Sequence, residues 1–374
     1  MICPYCGSDC SPRAQSCPKC GEPFSVDLKR IEEGKRELDK DVLKELEQLI
    51  AESIPSVSDD EDIDEDYTIG VKFEGATIVE LRLCNCGLTA LPESFYNLKS
   101  LKKLYINNNQ FTALPESFGQ FHSLEILNLG CNLLGALPKS IGYLKSLQEL
   151  YLNDNELTTL PATFGVLIAL KELHLERNQL TTLPESFGNL KSLQTLDLSC
   201  NQLRALPEQM LQIIIRLESL QELYLVDNQL MTLPASFGEL KSLQQLNLRA
   251  NRLKILPESI LQLKSLQSLD LRENQLRTLP ASLGQLKSIQ ELYLNENELT
   301  ALPESFGQLK SLQTINLSQN QLRTLPDSFS QLLNLQTLLI QDNPLNDRGK
   351  KILDQLKKNA KDVGIRTKDI KSFR

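Results

Sequence analysis

The chain has 374 residues, which is long for one hydrophobic core and indicates several domains or a repeat array. Its net charge of −8 disfavours a general nucleic-acid binder, and the absence of tryptophan means that aliphatic side chains must supply most of the core. No apolar run approaches the ~20 residues of a membrane-spanning helix. The N-terminal sequence MICPYCGSDC lacks the basic and apolar regions of a secretory signal, so the expected location is cytoplasmic.

Residues 1–24 contain two Cys-Pro-x-Cys-Gly motifs separated by ten residues. Four thiolates at this spacing can surround one tetrahedral Zn(II), whereas a redox CxxC normally belongs to a thioredoxin-like βαβ unit, which is absent here. The odd total of nine cysteines also disfavours a disulfide framework. The segment resembles short zinc ribbons at the start of many bacterial and archaeal proteins. The predicted ligands of this structural Zn(II) are Cys3, Cys6, Cys17 and Cys20.

Two connecting segments follow the predicted ribbon. Residues 25–53 place Val42, Leu46 and Leu49 near one face of a helix, which fits either a docking helix or, the interpretation we favour, a connector that caps the next domain. Residues 54–67 include the run DDEDIDED, with seven acids in eight positions. Such a run repels itself and predicts a flexible linker, and it lacks the glycine and terminal glutamate of a calcium loop.

The template L-x-x-L-x-L-x-x-N-x-L recurs through residues 68–345, and with Cys86 in the first asparagine position it occurs twelve times. Every step is 23 residues except one of 27 residues. The asparagines are Asn109, Asn132, Asn155, Asn178, Asn201, Asn228, Asn251, Asn274, Asn297, Asn320 and Asn343.

Each repeat has a strand pattern followed by a helical turn. In Leu104-Tyr105-Ile106 the two apolar residues alternate with a tyrosine, which predicts a strand with Tyr105 facing solvent. A Leu-Pro pair then begins an outer segment, because proline is tolerated at the first helical position. Stacked repeats share one leucine core. The predicted fold is therefore an α/β repeat, a curved solenoid whose concave side is a parallel sheet.

The ends and the irregular step carry their own signals. Residues 68–75 predict an extra strand that covers the edge of the first repeat. The four extra residues of the 27-residue step predict a longer outer helix, with part of the cluster Met210, Ile213, Ile214 and Ile215 near the surface. Residues 346–374 predict a capping helix and a basic tail with a net charge of +6, from ten Lys/Arg against four Asp/Glu. Contact of this tail with RNA or an anionic membrane is less favoured than simple solvation.

The strand positions between the core residues predict the main binding surface. Repeats four to seven place seven acids against Arg177 on this side, a net charge of −6, which favours a basic protein partner and disfavours phosphate backbones. The alternative is a face whose acids only keep the sheet soluble. The predicted partner-binding residues are Tyr105, Glu149, Tyr151, Glu172, His174, Asp197, Glu222, Tyr224, Asp270 and Tyr293.

With its LPxSFGxLxSL outer segments, the chain resembles intracellular leucine-rich-repeat proteins of the 23-residue type, and it looks most like Ras-binding scaffold and plant Ras-group repeat proteins. The resemblance implies a non-catalytic scaffold or adaptor that binds a protein on its concave face, in small-GTPase-type or other intracellular signalling. The chain has no GxxxxGK[ST] loop or kinase motif set, and Tyr151, His174 and Asp197 have no obvious nucleophile beside them. The alternative function is a nucleic-acid-associated protein that uses the ribbon and the basic tail.

Overall fold

A computed structural model describes residues 28–57, 69–75, 77–203, 205–359 and 364–366. Within this part of the chain no helix is long and apolar enough to cross a membrane. The predicted zinc ribbon, most of the acidic linker and the last residues of the basic tail lie outside the described residues. The predicted zinc ligands outside them are Cys3, Cys6, Cys17 and Cys20.

Helix α1, Leu28–Ile50, covers the beginning of the solenoid. Val42 and Leu46 are buried in the same core as the repeats, and the buried Asp39 accepts a hydrogen bond of 2.9 Å from the backbone N–H of Ile78. Leu49, which the sequence places near the same helix face, is 52% exposed. The helix therefore caps the first repeat, which is the connector role that the sequence favoured.

The edge of the first repeat is covered by backbone pairing. Strand β1, Ile69–Glu74, pairs antiparallel with β2, Thr77–Leu83, which confirms the predicted extra strand. The backbone N–H of Val57 then donates to the carbonyl of Val71 at 2.9 Å, on the other side of β1. These bonds satisfy an edge that would otherwise present unpaired N–H and C=O groups.

The repeats form one sheet in which each strand from β2 onward lies parallel to the next along the chain. The last strand of the sheet pairs parallel with the strand before it, although its residues were expected to belong only to the basic tail. The strands after β2 are β3 Lys103–Tyr105, β4 Ile126–Asn128, β5 Glu149–Tyr151, β6 Glu172–His174, β7 Thr195–Asp197, β8 Glu222–Tyr224, β9 Gln245–Asn247, β10 Ser268–Asp270, β11 Glu291–Tyr293, β12 Thr314–Asn316, β13 Thr337–Leu339 and β14 Gly364–Arg366.

The outer side of each repeat is a short helical segment that begins after a proline. In ten repeats it is a 3₁₀ helix, with a buried apolar side chain such as Phe187 at its centre. Stacking of these segments closes the core on the convex side. The 3₁₀ helices are Glu93–Asn97, Glu116–Gln120, Lys139–Tyr143, Ala162–Val166, Glu185–Asn189, Ala235–Glu239, Glu258–Gln262, Leu283–Gln285, Glu304–Gln308 and Asp327–Gln331.

The 27-residue step contains the predicted longer helix, α2, Glu208–Ile215. Met210, Ile213 and Ile214 are buried and Ile215 is partly buried. The prediction that part of this cluster lies near the surface therefore holds for Ile215 alone. The side chains of Met210, Ile213 and Ile214 face inward because the extra helical turn packs against the common core.

In every repeat after the first, an asparagine holds the turn that follows the strand. Asn274 is buried, and its Nδ2 donates to the carbonyls of Leu248, Leu271 and Arg272 at 2.9, 3.2 and 3.1 Å. Its Oδ1 accepts the N–H of Leu253 at 3.0 Å. The residue before each such position, from Asn85 to Asp342, has a left-handed φ between 47° and 57°. We call these stacked side chains the asparagine ladder.

Helix α3, Asp347–Asn359, closes the other end of the solenoid. Ile352, Leu353 and Leu356 are buried in the common core, and Arg348 forms an ion pair of 3.0 Å with Asp327 of the last 3₁₀ helix. The predicted capping helix is confirmed. Its apolar face covers leucines that a further repeat would otherwise bury.

Candidate binding face on the concave sheet

The concave side is built from the first and third residues of each strand. In β5 the middle residue Leu150 is fully buried in the core, while Glu149 and Tyr151 lie half-buried on the opposite side of the sheet. Parallel pairing is in register, so the same positions of successive strands form continuous rows across the sheet. The central row of the acidic region is Tyr151, His174, Asp197 and Tyr224.

Two predicted members of this face are buried by neighbouring arginines. Tyr105 is 3% exposed and lies beneath the guanidinium of Arg82, 5.0 Å from its ring centroid. Asp270 is 6% exposed and accepts hydrogen bonds of 2.9 and 3.0 Å from Arg272 Nε. The prediction that both face solvent is therefore wrong. Arg82 covers the ring of Tyr105, and Arg272 occupies the carboxylate of Asp270.

Three strands repeat the sequence Glu-Leu-Tyr, and each joins its own tyrosine and glutamate. The hydroxyls of Tyr151 and Tyr224 donate to Oε2 of Glu149 and Glu222 at 3.1 and 2.8 Å. Burial, followed by the neighbouring carboxylate, raises the pKa of Tyr151 well above its usual value. The tyrosines therefore remain neutral and offer apolar ring surface beside a fixed negative charge. The third such pair is Tyr293 with Glu291, at 3.4 Å.

The centre of the face combines stacked rings with a buried carboxyl group. The rings of Tyr151 and His174 stack with centroids 4.8 Å apart and an angle of 10° between their planes. Glu176 lies beside them, its Oε2 3.8 Å from His174 Nδ1. Burial, and then the negative charge of Asp197, raises the pKa of Glu176 to about 7. Glu176 was counted in the acidic patch but omitted from the predicted contacts, although it lies two positions after the central row.

An open cleft of about 560 Å³ surrounds this centre and extends toward the first repeats. Its lining alternates charge, amide and aromatic groups, which suits the side chains of a macromolecular partner more than an enclosed small molecule. The residues around it are Lys103, Tyr105, Ile126, Asn128, Glu149, Tyr151, Asn153, His174 and Glu176.

Negative charge is concentrated in the middle of the array. Glu149 and Glu172 are cross-strand neighbours of like charge, and neither is among the ion pairs of the described residues. In the following repeats, by contrast, Arg249 pairs with Glu273 at 2.6 Å, and Arg272 pairs with Asp270. Repeats four to seven therefore present the excess of acids that the sequence predicted.

The same side chains do not assemble a nucleophilic site. Cys200 is the thiol nearest to the central row, and its Sγ lies 4.0 Å from Asp227 Oδ2. Burial, followed by the charge of Asp227, raises the pKa of Cys200, which keeps the thiol protonated. A protonated thiol is a poor nucleophile, so the arrangement favours binding over covalent chemistry.

The chain belongs to the leucine-rich-repeat family. A family model described as Leucine rich repeat matches residues 76–134, 122–180, 145–203, 168–230, 253–299 and 290–345. This family is generally a non-enzymatic protein-interaction fold, and no catalytic family is indicated. A comparison with curated protein sequences gives no significant match.

Solved structures with similar folds come from different organisms. A leucine-rich-repeat protein of Leptospira interrogans is 32% identical over 78% of this chain and 95% of its own, with a TM-score of 0.48. An internalin of Listeria monocytogenes is 20% identical over 80% of this chain and 87% of its own, with a TM-score of 0.65. A chain of the Drosophila Toll–Spatzle complex is 27% identical over 78% of this chain and 41% of its own, with a TM-score of 0.65.

Proposed function

We propose that this protein is a non-catalytic scaffold or adaptor that binds a basic protein surface on its concave face. The observation that supports the proposal is the in-register arrangement of tyrosines and an excess of acids across repeats four to seven. Tyrosine supplies large contact area with a polar end and is enriched among residues that dominate binding energy. The surrounding acids attract a positively charged partner and repel phosphate groups.

The proposed setting is intracellular signalling, as in the Ras-binding scaffold class that the repeat resembles. Cys86 and Cys200 form no disulfide within the described residues, which supports a reducing compartment such as the cytoplasm. The Drosophila chain with a similar fold is part of the Toll–Spatzle complex, which supports a protein partner for a solenoid of this kind.

The test compares partner binding by the full chain and by a concave-face variant with Glu149→Gln, Tyr151→Ala, Glu222→Gln and Tyr224→Ala. A protein captured from lysate is identified, purified and titrated calorimetrically against both chains. We expect the variant to bind at least about 30-fold more weakly, because each of the two truncated tyrosines at a binding centre costs more than ~1 kcal/mol. We also expect the captured partner to be basic and its association to slow as salt increases.

A matched variant changes the same residue types on the outer side, with Tyr143→Ala, Glu239→Gln and Glu258→Gln. All three side chains belong to exposed positions of 3₁₀ helices. This control is expected to bind like the unchanged chain. Equal binding by the concave-face variant would place the interface elsewhere. Binding of nucleic acid instead, with affinity falling steeply in salt, would favour the ribbon and basic tail.

We also propose that the N-terminal segment binds one structural Zn(II) through four thiolates. The support is the spacing of its two Cys-Pro-x-Cys-Gly motifs. Elemental analysis of the purified full chain should give one zinc per chain, retained in Cys10→Ser and lost when the four proposed ligands are changed to serine. Undiminished zinc in the fourfold variant would contradict the assignment. The proposed ligands are Cys3, Cys6, Cys17 and Cys20.

A further inference from the structure

His174, Glu176 and Asp197 bring three metal-ligating side chains together on adjacent repeats. His174 and Asp197 are paired ends of β6 and β7, and Glu176 lies two residues after His174 on the same side of the chain. One ligand atom of each lies within 4.8 Å of the others, and all three side chains are half-buried. The cluster is therefore fixed by the register of the sheet.

One carboxylate oxygen of the half-buried Glu176 lacks a hydrogen-bond partner. Its Oε2 is buried from solvent and accepts no hydrogen bond within the described part of the chain. His174 Nδ1, at 3.8 Å, is too distant to donate one. One carboxylate oxygen of Asp197 already has a partner, because Oδ1 accepts a hydrogen bond of 2.8 Å from the backbone N–H of Ser199. A buried carboxylate oxygen without a donor is costly, and a bound cation is one of the ordinary ways to satisfy it.

We propose that His174, Glu176 and Asp197 bind a divalent first-row transition-metal cation. One imidazole nitrogen and two carboxylate oxygens suit such an ion, whereas Ca²⁺ and Mg²⁺ prefer oxygen ligands alone. Metal–ligand bonds of about 2.0–2.2 Å require the three side chains to move together by roughly 1–2 Å, which rotation about their χ angles permits. The stacking of Tyr151 on His174 restrains the imidazole in the orientation that faces Glu176.

Three protein ligands leave coordination positions open toward the cleft. Water or a side chain of another molecule would fill them. The proposal does not rest on a protein partner, because the ligands all belong to this chain and the metal can be tested alone.

The probe is Mn(II) added to the full chain carrying one equivalent of zinc, which the four proposed thiolates take in preference, so that the oxygen-rich site is left to Mn(II). The chain has two histidines, His122 and His174, and His122 is exposed after the 3₁₀ helix Glu116–Gln120. We expect substoichiometric Mn(II) to broaden the ring-proton NMR signals of His174 and spare those of His122, because paramagnetic broadening falls steeply with distance. A His122→Asn variant assigns the two sets of signals.

Affinity is measured from the electron paramagnetic resonance signal of free Mn(II). Glu176→Gln and Asp197→Asn should each weaken binding at least about tenfold, since changes outside the metal's direct ligands already cost roughly 10–100-fold. Asp154→Asn is the matched control, because it removes one negative charge beside Glu176 without removing a proposed ligand. It should retain most of the affinity.

Three results would overturn the proposal. The first is no selective broadening of His174 in the unchanged chain, a measurement that needs no variant to fold. The second is Mn(II) affinity in Glu176→Gln equal to that of the unchanged chain. The third is an equal loss in Asp154→Asn and Glu176→Gln, which would indicate general attraction to an acidic surface instead of coordination.

Discussion

Replacement of Asn274 by alanine is expected to lower the free energy of unfolding by about 3–5 kcal/mol, the upper range for a single buried polar change. The amide makes four hydrogen bonds to backbone groups of two successive repeats, at 2.9 to 3.2 Å. Its removal leaves a buried N–H at Leu253 and buried carbonyls, including that of Leu248, without this partner. Urea unfolding followed by circular dichroism measures the loss.

Asn189→Ala is the matched control for this change. Asn189 is exposed at the end of the 3₁₀ helix Glu185–Asn189, and its truncation should change stability by no more than about 0.5 kcal/mol. If Asn274→Ala were as stable as Asn189→Ala, the ladder would contribute specificity to the turn without net stability. A repeat protein can unfold locally without unfolding as a whole, so amide hydrogen exchange around Leu253 should be followed in the same samples.

Periodicity made most of the fold predictable from sequence. Leucines and asparagines recur at a fixed spacing, so one strand, one turn and one outer segment could be assigned to every repeat before any contact was known. The rows of the concave face followed as well, because alternate strand residues lie on opposite sides of a sheet. Pairing of His174 with Asp197 is an example of a contact that depends only on repeat spacing.

Side-chain burial was less predictable because it depends on neighbours that periodicity does not specify. Tyr105 and Asp270 occupy outward positions, yet Arg82 and Arg272 lie over or against them. The same template leaves Tyr151 half-buried, where the neighbouring ring is His174. Whether an outward residue is exposed therefore depends on the length and charge of the adjacent side chains.

The left-handed backbone conformation of the residue before each ladder asparagine could not be predicted from the sequence either. Aspartate and asparagine tolerate the left-handed region, but Arg177 and Ala250 adopt it too, with φ of 53° and 54°. Such a conformation costs a non-glycine residue roughly 1–2 kcal/mol. The hydrogen bonds of the ladder impose it on every repeat, so tertiary structure overrides the local preference.

Gly165→Ala is expected to destabilise the protein by about 2–3 kcal/mol through overpacking. A Cβ at this position would overlap the backbone carbonyl of Ser186, which occupies the equivalent outer segment of the next repeat. Backbone cannot withdraw without separating two stacked 3₁₀ helices, each with a buried phenylalanine, Phe164 and Phe187. The loss is measured by urea unfolding at constant temperature.

Gly188→Ala tests this explanation at the one equivalent glycine that is followed by α2. Here the added Cβ would meet the side chain of Arg216, not backbone. That guanidinium is partly exposed and pairs with Glu185, a surface ion pair worth about 0–1 kcal/mol, so it can move at small cost. Gly188→Ala should therefore cost about 1 kcal/mol or less. Equal losses at Gly165 and Gly188 would show that the outer glycines are needed for a reason other than the close approach of successive repeats.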